Sequence, residues 1–253
     1  MAIKNQLGLI GYPLSHSFSK KYFSEKFKAE NIAGYHYELY PIPTISELDD
    51  LIAQHANLLG LNITIPYKQQ AIPYLDEISE EAQKVGAVNT IKFKDGKRKG
   101  YNTDVYGFEI SLKKLLATAT IPFKKMKALV LGTGGAAKAV VYVLDKLEIG
   151  YQLVSRREGK GQITYKMIDE AIMTKHQLII NTTPLGMTPK IDNAPDLPYK
   201  YLTNEHFLYD LVYNPEVTKF LRMGLNSNAS IMNGSEMLYL QAEKAWSIWT
   251  TEE

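Results

Sequence analysis

Apolar positions along the chain follow two periods that alternate from end to end. Short runs with strand character occupy residues 7–10, 35–40, 61–65, 88–93, 97–101, 128–131, 151–154, 178–180, 208–212 and 229–232. Between them, apolar side chains return every three or four positions: up to Ala29, over 45–54 and 79–85, from Asp104 onward, over 136–147 and over 234–249. In the stretch opened by Asp104, residues Val105, Phe108, Leu112, Leu115 and Leu116 share one helical side. Strands alternating with helices predict an α/β fold with parallel sheet. Asp95-Gly96 predicts a tight antiparallel hairpin, so the sheet of the first half is expected to be mixed. Borders near Thr103 and Met232 divide the pattern into domains 1–103 and 104–232, with the last helix, 233–253, returning to the first.

Composition changes the picture mainly by exclusion. With 29 basic and 27 acidic side chains the net charge is +2, which gives no general field for nucleic acid or an anionic membrane. No stretch approaches the roughly 20 apolar residues of a membrane helix. Residues 1–13 are broken by Gly8, Gly11 and Pro13 and do not read as a signal peptide. The absence of cysteine removes disulfides, thiolate metal sites and cysteine nucleophiles, and it fits a cytoplasmic setting. The five histidines show no close pair at ligand spacing, so no metal is expected. The expected partner is a small molecule. Monomer and homodimer both stay open.

The strand over 128–131 runs into Gly132-Thr133-Gly134-Gly135-Ala136-Ala137, a Gly-x-Gly-x-x-Ala turn that opens a helix. Gly132 permits the tight turn, Gly134 removes a side chain where a pyrophosphate must approach, and Ala137 keeps the helix close to the sheet. The N–H groups at that helix start suit phosphate. Domain 104–232 is therefore expected to be a Rossmann-like nucleotide domain. Roughly 20 residues further on, an NAD site carries Asp or Glu. This chain has Ser155-Arg156-Arg157 there. Two guanidinium groups can grip a phosphate dianion by charge-assisted bonds, which favours NADP. A solvated basic cluster is the plainer alternative.

Three polar clusters lie at ends of predicted strands in the first half. Ser15-His16-Ser17-Phe18-Ser19 precedes a helix and would suit a carboxylate, although capping would use one of these serines, Ser17 or Ser19, by itself. Asn62 and Thr64 share one strand face and lead to Lys68. Asn89-Thr90 and Asn102-Thr103-Asp104 complete the set. Reduction of a ketone needs a hydride donor and a proton donor. Lys68 and Asp104 are the best placed for the proton, and either can move it.

These residues resemble the shikimate dehydrogenase family over almost the whole chain. The segment from Gly11 to Ser19 is similar to that family's opening signature, which implies carboxylate-binding roles for Ser17 and Ser19. Residues 62–68 resemble its Asn-x-Thr-x-Pro-x-Lys motif, with Lys68 as catalytic lysine. Gly86-Ala87-Val88-Asn89-Thr90 implies that Asn89 binds substrate, and Asn102-Thr103-Asp104 implies that Asp104 is the paired catalytic acid. Tyr213-Asn214-Pro215 and the segment from Gly234 to Ala242 resemble two further family stretches. They imply substrate roles for Tyr213 and Gln241 and a place for Gly234 beside the cofactor. Residues 181–187 resemble the loop near the nicotinamide and bring in Thr182. Lys20, Ser155 and Arg157 depart from the family's usual Pro, Asn and Thr. The resemblance implies a substrate domain and an NADP domain with the site in the cleft between them. It also implies interconversion of 3-dehydroshikimate and shikimate on the route to aromatic amino acids. A quinate-preferring paralogue that also takes NAD, and a non-catalytic NADP-binding sensor, are the rival readings.

Overall fold

The computed structural model describes residues 4–14 and 17–251. The chain divides into two compact units. One runs to Thr103 and resumes at Ala242; the other spans Asp104–Gln241.

The first unit is built on a six-stranded mixed sheet. Its strands are β1 (Asn5–Gly11), β2 (Tyr35–Pro41), β3 (Leu58–Ile63), β4 (Glu77–Ile78), β5 (Thr90–Lys94) and β6 (Lys97–Tyr101), in the order β2-β1-β3-β5-β6-β4. β1 pairs parallel with β2 and β3, while β5 runs antiparallel to β3 and to β6. The β5–β6 turn is the Asp95-Gly96 hairpin, both residues at positive φ. Alternation along β1 sorts its side chains. Leu7 and Leu9 pack with Phe23 and Phe27 of α1 (Phe18–Ala29), whereas Ile10 packs with Leu48 and Leu51 of α2 (Leu48–Gln54). A third helix, α3 (Glu80–Val85), is capped by Ser79. The returning chain closes the α1 face: Ala242, Ala245 and Trp249 join the Leu7–Phe23 cluster. Trp249 donates its indole N–H to the Ile91 carbonyl at 2.9 Å. It lies over Gly60, where an added Cβ would come within 2.1 Å of the ring.

The second unit carries a wholly parallel sheet of β7 (Lys127–Leu131), β8 (Gly150–Ser155), β9 (Gln162–Thr164), β10 (Leu178–Asn181), β11 (Phe207–Asp210) and β12 (Ser230–Met232). The order β12-β11-β10-β7-β8-β9 is that of a Rossmann fold, with the chain reversing direction between β7 and β10. Leu129, Leu131, Ile179 and Leu208 pack with Met173 of α6 (Glu170–Lys175) and with Phe220 and Leu221 of α7 (Lys219–Asn226). From α4 (Thr103–Leu115), Phe108 meets Tyr209 edge-on at 5.0 Å and the Ser111 and Tyr209 hydroxyls lie 2.6 Å apart. The remaining helices are α5 (Gly135–Lys146), packed on β7 and β8, and α8 (Ser235–Thr250).

The structure differs from the sequence reading in several details. The strand expected over 61–65 is β3, Leu58–Ile63, which starts three residues earlier and ends two earlier, although the Thr64 N–H still bonds the Ile10 carbonyl of β1 at 2.9 Å. The helix expected over 45–54 opens as a 3-10 turn, Ile45–Glu47, closed by a Thr44/Glu47 capping box. The chain passes back to the first unit at Ala242 rather than near Met232. The first turns of α8 stay with α4, since Gly107 lets the two backbones meet: a Cβ there would lie 2.5 Å from the Met237 carbonyl. No helix among the described residues is long and apolar enough to cross a membrane.

Candidate functional site

Open α/β sheets bind ligands beyond the carboxyl ends of their strands, where the winding reverses. In the first unit that place is the pair β1/β3. Gly11 is needed there, since a Cβ would stand 2.5 Å from Thr64 and 2.9 Å from Leu14. The segments carrying Ser17 and Asn62–Lys68 both leave from these strand ends. Ser17 occupies the cap position of α1 but makes no capping bond. Its hydroxyl oxygen is buried and finds no partner among the described residues. Ser19 lies in the first turn, so neither serine caps the helix in the way the sequence suggests. With no acidic residue in that first turn, the helix start keeps its N–H groups and positive end for an anion. Ser15 and His16 lie outside the described residues.

Beside it, the Asn62 amide accepts from the Tyr37 hydroxyl at 2.8 Å and donates to Thr90 Oγ1 at 3.1 Å. Asn89 accepts at Oδ1 from the Thr103 backbone N–H at 2.7 Å and donates from Nδ2 to Thr103 Oγ1 at 2.9 Å. Lys68 is half-buried in the turn after Pro66, and its carbonyl accepts from the Val88 N–H at 2.7 Å. Backbone pairing thus brings Lys68 next to the Val88-Asn89 segment that leads into β5. Asn62, Thr64, Lys68 and Asn89, which the sequence singles out from two separate motifs, gather at one end of one sheet. Thr90 joins Asn62 to Asn89 and Tyr37 bonds Asn62 from the other side, and no motif contains Tyr37. Its burial pushes the phenol well above the ordinary tyrosine value, so it stays a neutral donor.

In the second unit the reversal lies between β7 and β10. A cavity of about 370 Å³ opens there, lined by Gly132, Gly134, Ser155, Arg156, Tyr165 and Thr182, with other residues of the same turns. Gly132 has φ 109°, and a Cβ on it would meet Thr182 Oγ1 at 2.6 Å. A Cβ on Gly134, by contrast, would meet nothing within 4 Å. That open side is where a pyrophosphate backbone would approach. Gly134 also heads α5, whose first turn holds no acidic residue. Gly135 and Ala136 begin the helix, and Ala137 is buried against the sheet. Arg156 and Arg157 are exposed just past β8. The donor set fits a dinucleotide with an extra phosphate. Gly135, Ala136, Ala137, Arg157 and Gly234 are not among the cavity-lining residues. Gly234 has a packing reason of its own, a Cβ there falling 2.2 Å from the Leu211 carbonyl. A larger hollow of about 470 Å³ opens at the amino ends of β10, β11 and β12, the end of such sheets that does not bind ligands.

A buried carboxylate shapes the wall of this cavity. Asp210 accepts from Asn181 Nδ2 at 2.9 Å, from the Val212 N–H at 3.0 Å and from Thr218 Oγ1 at 2.6 Å. Asn181 Oδ1 in turn accepts from the Thr183 backbone and hydroxyl, fixing the loop that carries Thr182. Burial outweighs these bonds and pushes the Asp210 carboxyl up to about 6. Asp210 and Tyr165 escaped the sequence reading, since both resemble ordinary residues at strand ends.

Three more residues lie in this second unit. Asp104 is in the first turn of α4. Gln241 is buried on α8, with Nε2 donating to the Leu238 carbonyl at 2.8 Å, and it packs against Gly107 of α4. Tyr213 is 39% exposed in the segment after β11.

Comparison with known proteins agrees with this arrangement. Residues 9–91 match the family described as the shikimate dehydrogenase substrate binding domain. A protein of Clostridium beijerinckii named shikimate dehydrogenase (NADP(+)) is 43% identical, over 96% of this chain and 90% of its own. The shikimate 5-dehydrogenase of Thermus thermophilus, solved with NADP(H) and shikimate, superposes with a TM-score of 0.82 at 29% identity, covering 97% of this chain and 93% of that one. A quinate dehydrogenase of Corynebacterium glutamicum, solved with NAD, gives 0.85 at 27% identity, covering 98% and 94%. With its mixed sheet, its Rossmann sheet and this degree of identity along nearly its full length, the chain belongs to the shikimate dehydrogenase family.

Proposed function

We propose that this chain is an NADP-dependent shikimate dehydrogenase, which interconverts 3-dehydroshikimate and shikimate. The observation that carries the reading is the cavity at β7/β10. It has an open approach at Gly134, an uncapped helix behind it, and Arg156 at the place where an NAD site carries a carboxylate. Arg156 and Arg157 would hold the 2′-phosphate, Ser155 the ribose edge, and Gly132, Gly134, Gly135 and Ala136 the pyrophosphate. Thr182 would line the nicotinamide side.

For the substrate, Ser17, Ser19 and the start of α1 supply donors to the carboxylate, with Tyr213 a further contact. Asn62, Thr64, Asn89 and Gln241 serve the ring hydroxyls. Bound NADPH supplies the hydride. As the carbonyl oxygen gains charge, Lys68 Nζ stabilises it and gives it a proton; in the reverse direction the amine takes that proton back. Asp104 is the carboxylate of the proton-handling pair. A cytoplasmic location is proposed alongside, supported by the cysteine-free composition.

The test is absorbance at the nicotinamide band with purified protein. Shikimate with NADP should give rapid reduction, and quinate or NAD little. Preference for quinate and NAD would move the assignment to the quinate branch, and binding of NADPH without turnover of either acid would make the protein a sensor. Lys68→Ala should lower kcat by about 10²-fold or more with a much smaller change in KM.

A further inference from the structure

Tyr37 belongs to none of the sequence motifs, yet its hydroxyl stands between two of them. It donates to Asn62 Oδ1 at 2.8 Å, with the Ser19 side chain close enough to lower the phenol's pKa slightly against its burial. A phenol has one proton to give. The Asn62 amide is oriented from its other end, where Nδ2 donates to Thr90 Oγ1 at 3.1 Å and to the Asn89 carbonyl at 3.4 Å. A carbonyl only accepts, so Asn62 Oδ1 must be the atom facing Tyr37, and Tyr37 must be the donor. Beyond Asn62, Thr90 Oγ1 donates to Asn89 Oδ1 at 3.2 Å. The same oxygen accepts from the Thr103 backbone N–H at 2.7 Å, a donor that cannot turn round. The donations therefore run one way, from Tyr37 through Asn62 and Thr90 to Asn89.

The two connecting residues are sealed from solvent, Tyr37 at 1% and Thr90 at 0% exposure. The Tyr37 ring is stacked on Phe23 at 4.6 Å, so it is held in place. A flipped Asn62 amide would set oxygen against the Asn89 carbonyl and turn an N–H toward the Tyr37 hydroxyl that now donates to it. With Nδ2 engaged, the remaining valence of Asn62 is the second lone pair of Oδ1, which accepts a hydroxyl. We infer that Tyr37 and Thr90 are positioning residues: they lock the Asn62 amide as an acceptor for a substrate hydroxyl. This rests on the proposed substrate, a hydroxylated ring acid.

The experiment compares Tyr37→Phe and Thr90→Val with wild type in steady-state kinetics, with shikimate binding measured separately by calorimetry. Tyr37→Phe should raise the KM and Kd for shikimate about tenfold, the scale of one well-placed hydrogen bond, with kcat within about threefold and the KM for NADP unchanged. Thr90→Val should show the same signature. Added to Asn62→Ala, Tyr37→Phe should contribute far less than its own tenfold, because the held group is gone. A role confined to core packing would lower Tm and leave both KM values alone. Wild-type affinity for shikimate in both variants overturns the inference. If Tyr37→Phe does not fold, Thr90→Val, which keeps the side-chain shape, decides alone. A wild type that binds shikimate without turnover would sink the catalytic proposal and leave this test standing; one that does not bind shikimate overturns both.

Discussion

At the residue scale, the proposed cofactor site is assembled from neighbours along the chain. The Gly132–Ala137 turn needs only its own strand and helix, and Arg156 and Arg157 lie at the tip of the next strand. If these guanidiniums grip a 2′-phosphate, changing both to Ala should raise the KM for NADPH by 10-fold or more, since bonds to charged groups contribute about 1.5–3 kcal/mol. NADH should be affected little, and equal losses for the two cofactors would remove the clamp. Tyr37 was not legible, because a tyrosine in a strand reads as an ordinary β-former. Only the pairing of β1 between β2 and β3 brings it to Asn62. Asp210, at the end of β11, gave no local sign of its burial either, and it carries its own pH dependence. Its folded value, about 6, stands above the ordinary 3.8, so the folded protein binds this proton more tightly than the unfolded chain. The stabilising contribution is full below about 3.8 and is lost as pH rises through about 6. Asp210→Asn, which keeps an acceptor for Asn181 and Val212, should flatten that decline by an amount on the order of 2–3 kcal/mol. Urea unfolding at several pH values would show it; an unchanged slope would assign the decline to other groups.

At the element scale, long periodic segments were readable and short ones were not. α4, α5 and α8 span several turns, and apolar spacing located them. β4, β9 and α6 hold two, three and six residues, too few to complete a pattern. α6 and α7 still carry start signals that went unread. Asp169 accepts from the Ile172 N–H at 2.9 Å, and Thr218 accepts from the Leu221 N–H at 3.3 Å. The approach of α4 to α8 has no sequence signal beyond a glycine, and it yields a prediction against propensity. In an open helix, Gly→Ala would stabilise by up to about 1 kcal/mol. At Gly107 the new Cβ would press on the Met237 carbonyl, so Gly107→Ala should instead destabilise by about 1–3 kcal/mol. It should also raise the KM for shikimate, because Gln241 sits on the same contact. Thermal melts and kinetics on one preparation read both effects.

For the whole molecule, the balance of 29 basic and 27 acidic side chains leaves recognition to local sites, and ligand linkage measures those directly. NADP at about 100 times its Kd should stabilise the fold by about 2.7 kcal/mol. That corresponds to a rise in Tm of roughly 5–10 °C for a chain of this size, and NAD at the same concentration should give clearly less. Scanning calorimetry makes the comparison, and equal shifts would contradict the NADP assignment. The two sheets also differ at their margins. β4, β9 and β12 end their sheets with only two or three residues each, which leaves little backbone for another chain to pair with. The seven residues of β2 form the one long border among the described strands. It finishes in Pro41, which has no N–H to offer, and carries Glu38 bonded to Lys20, both deterrents to strand addition. Resistance to aggregation in concentrated solution therefore depends on a single strand, the one that also carries Tyr37.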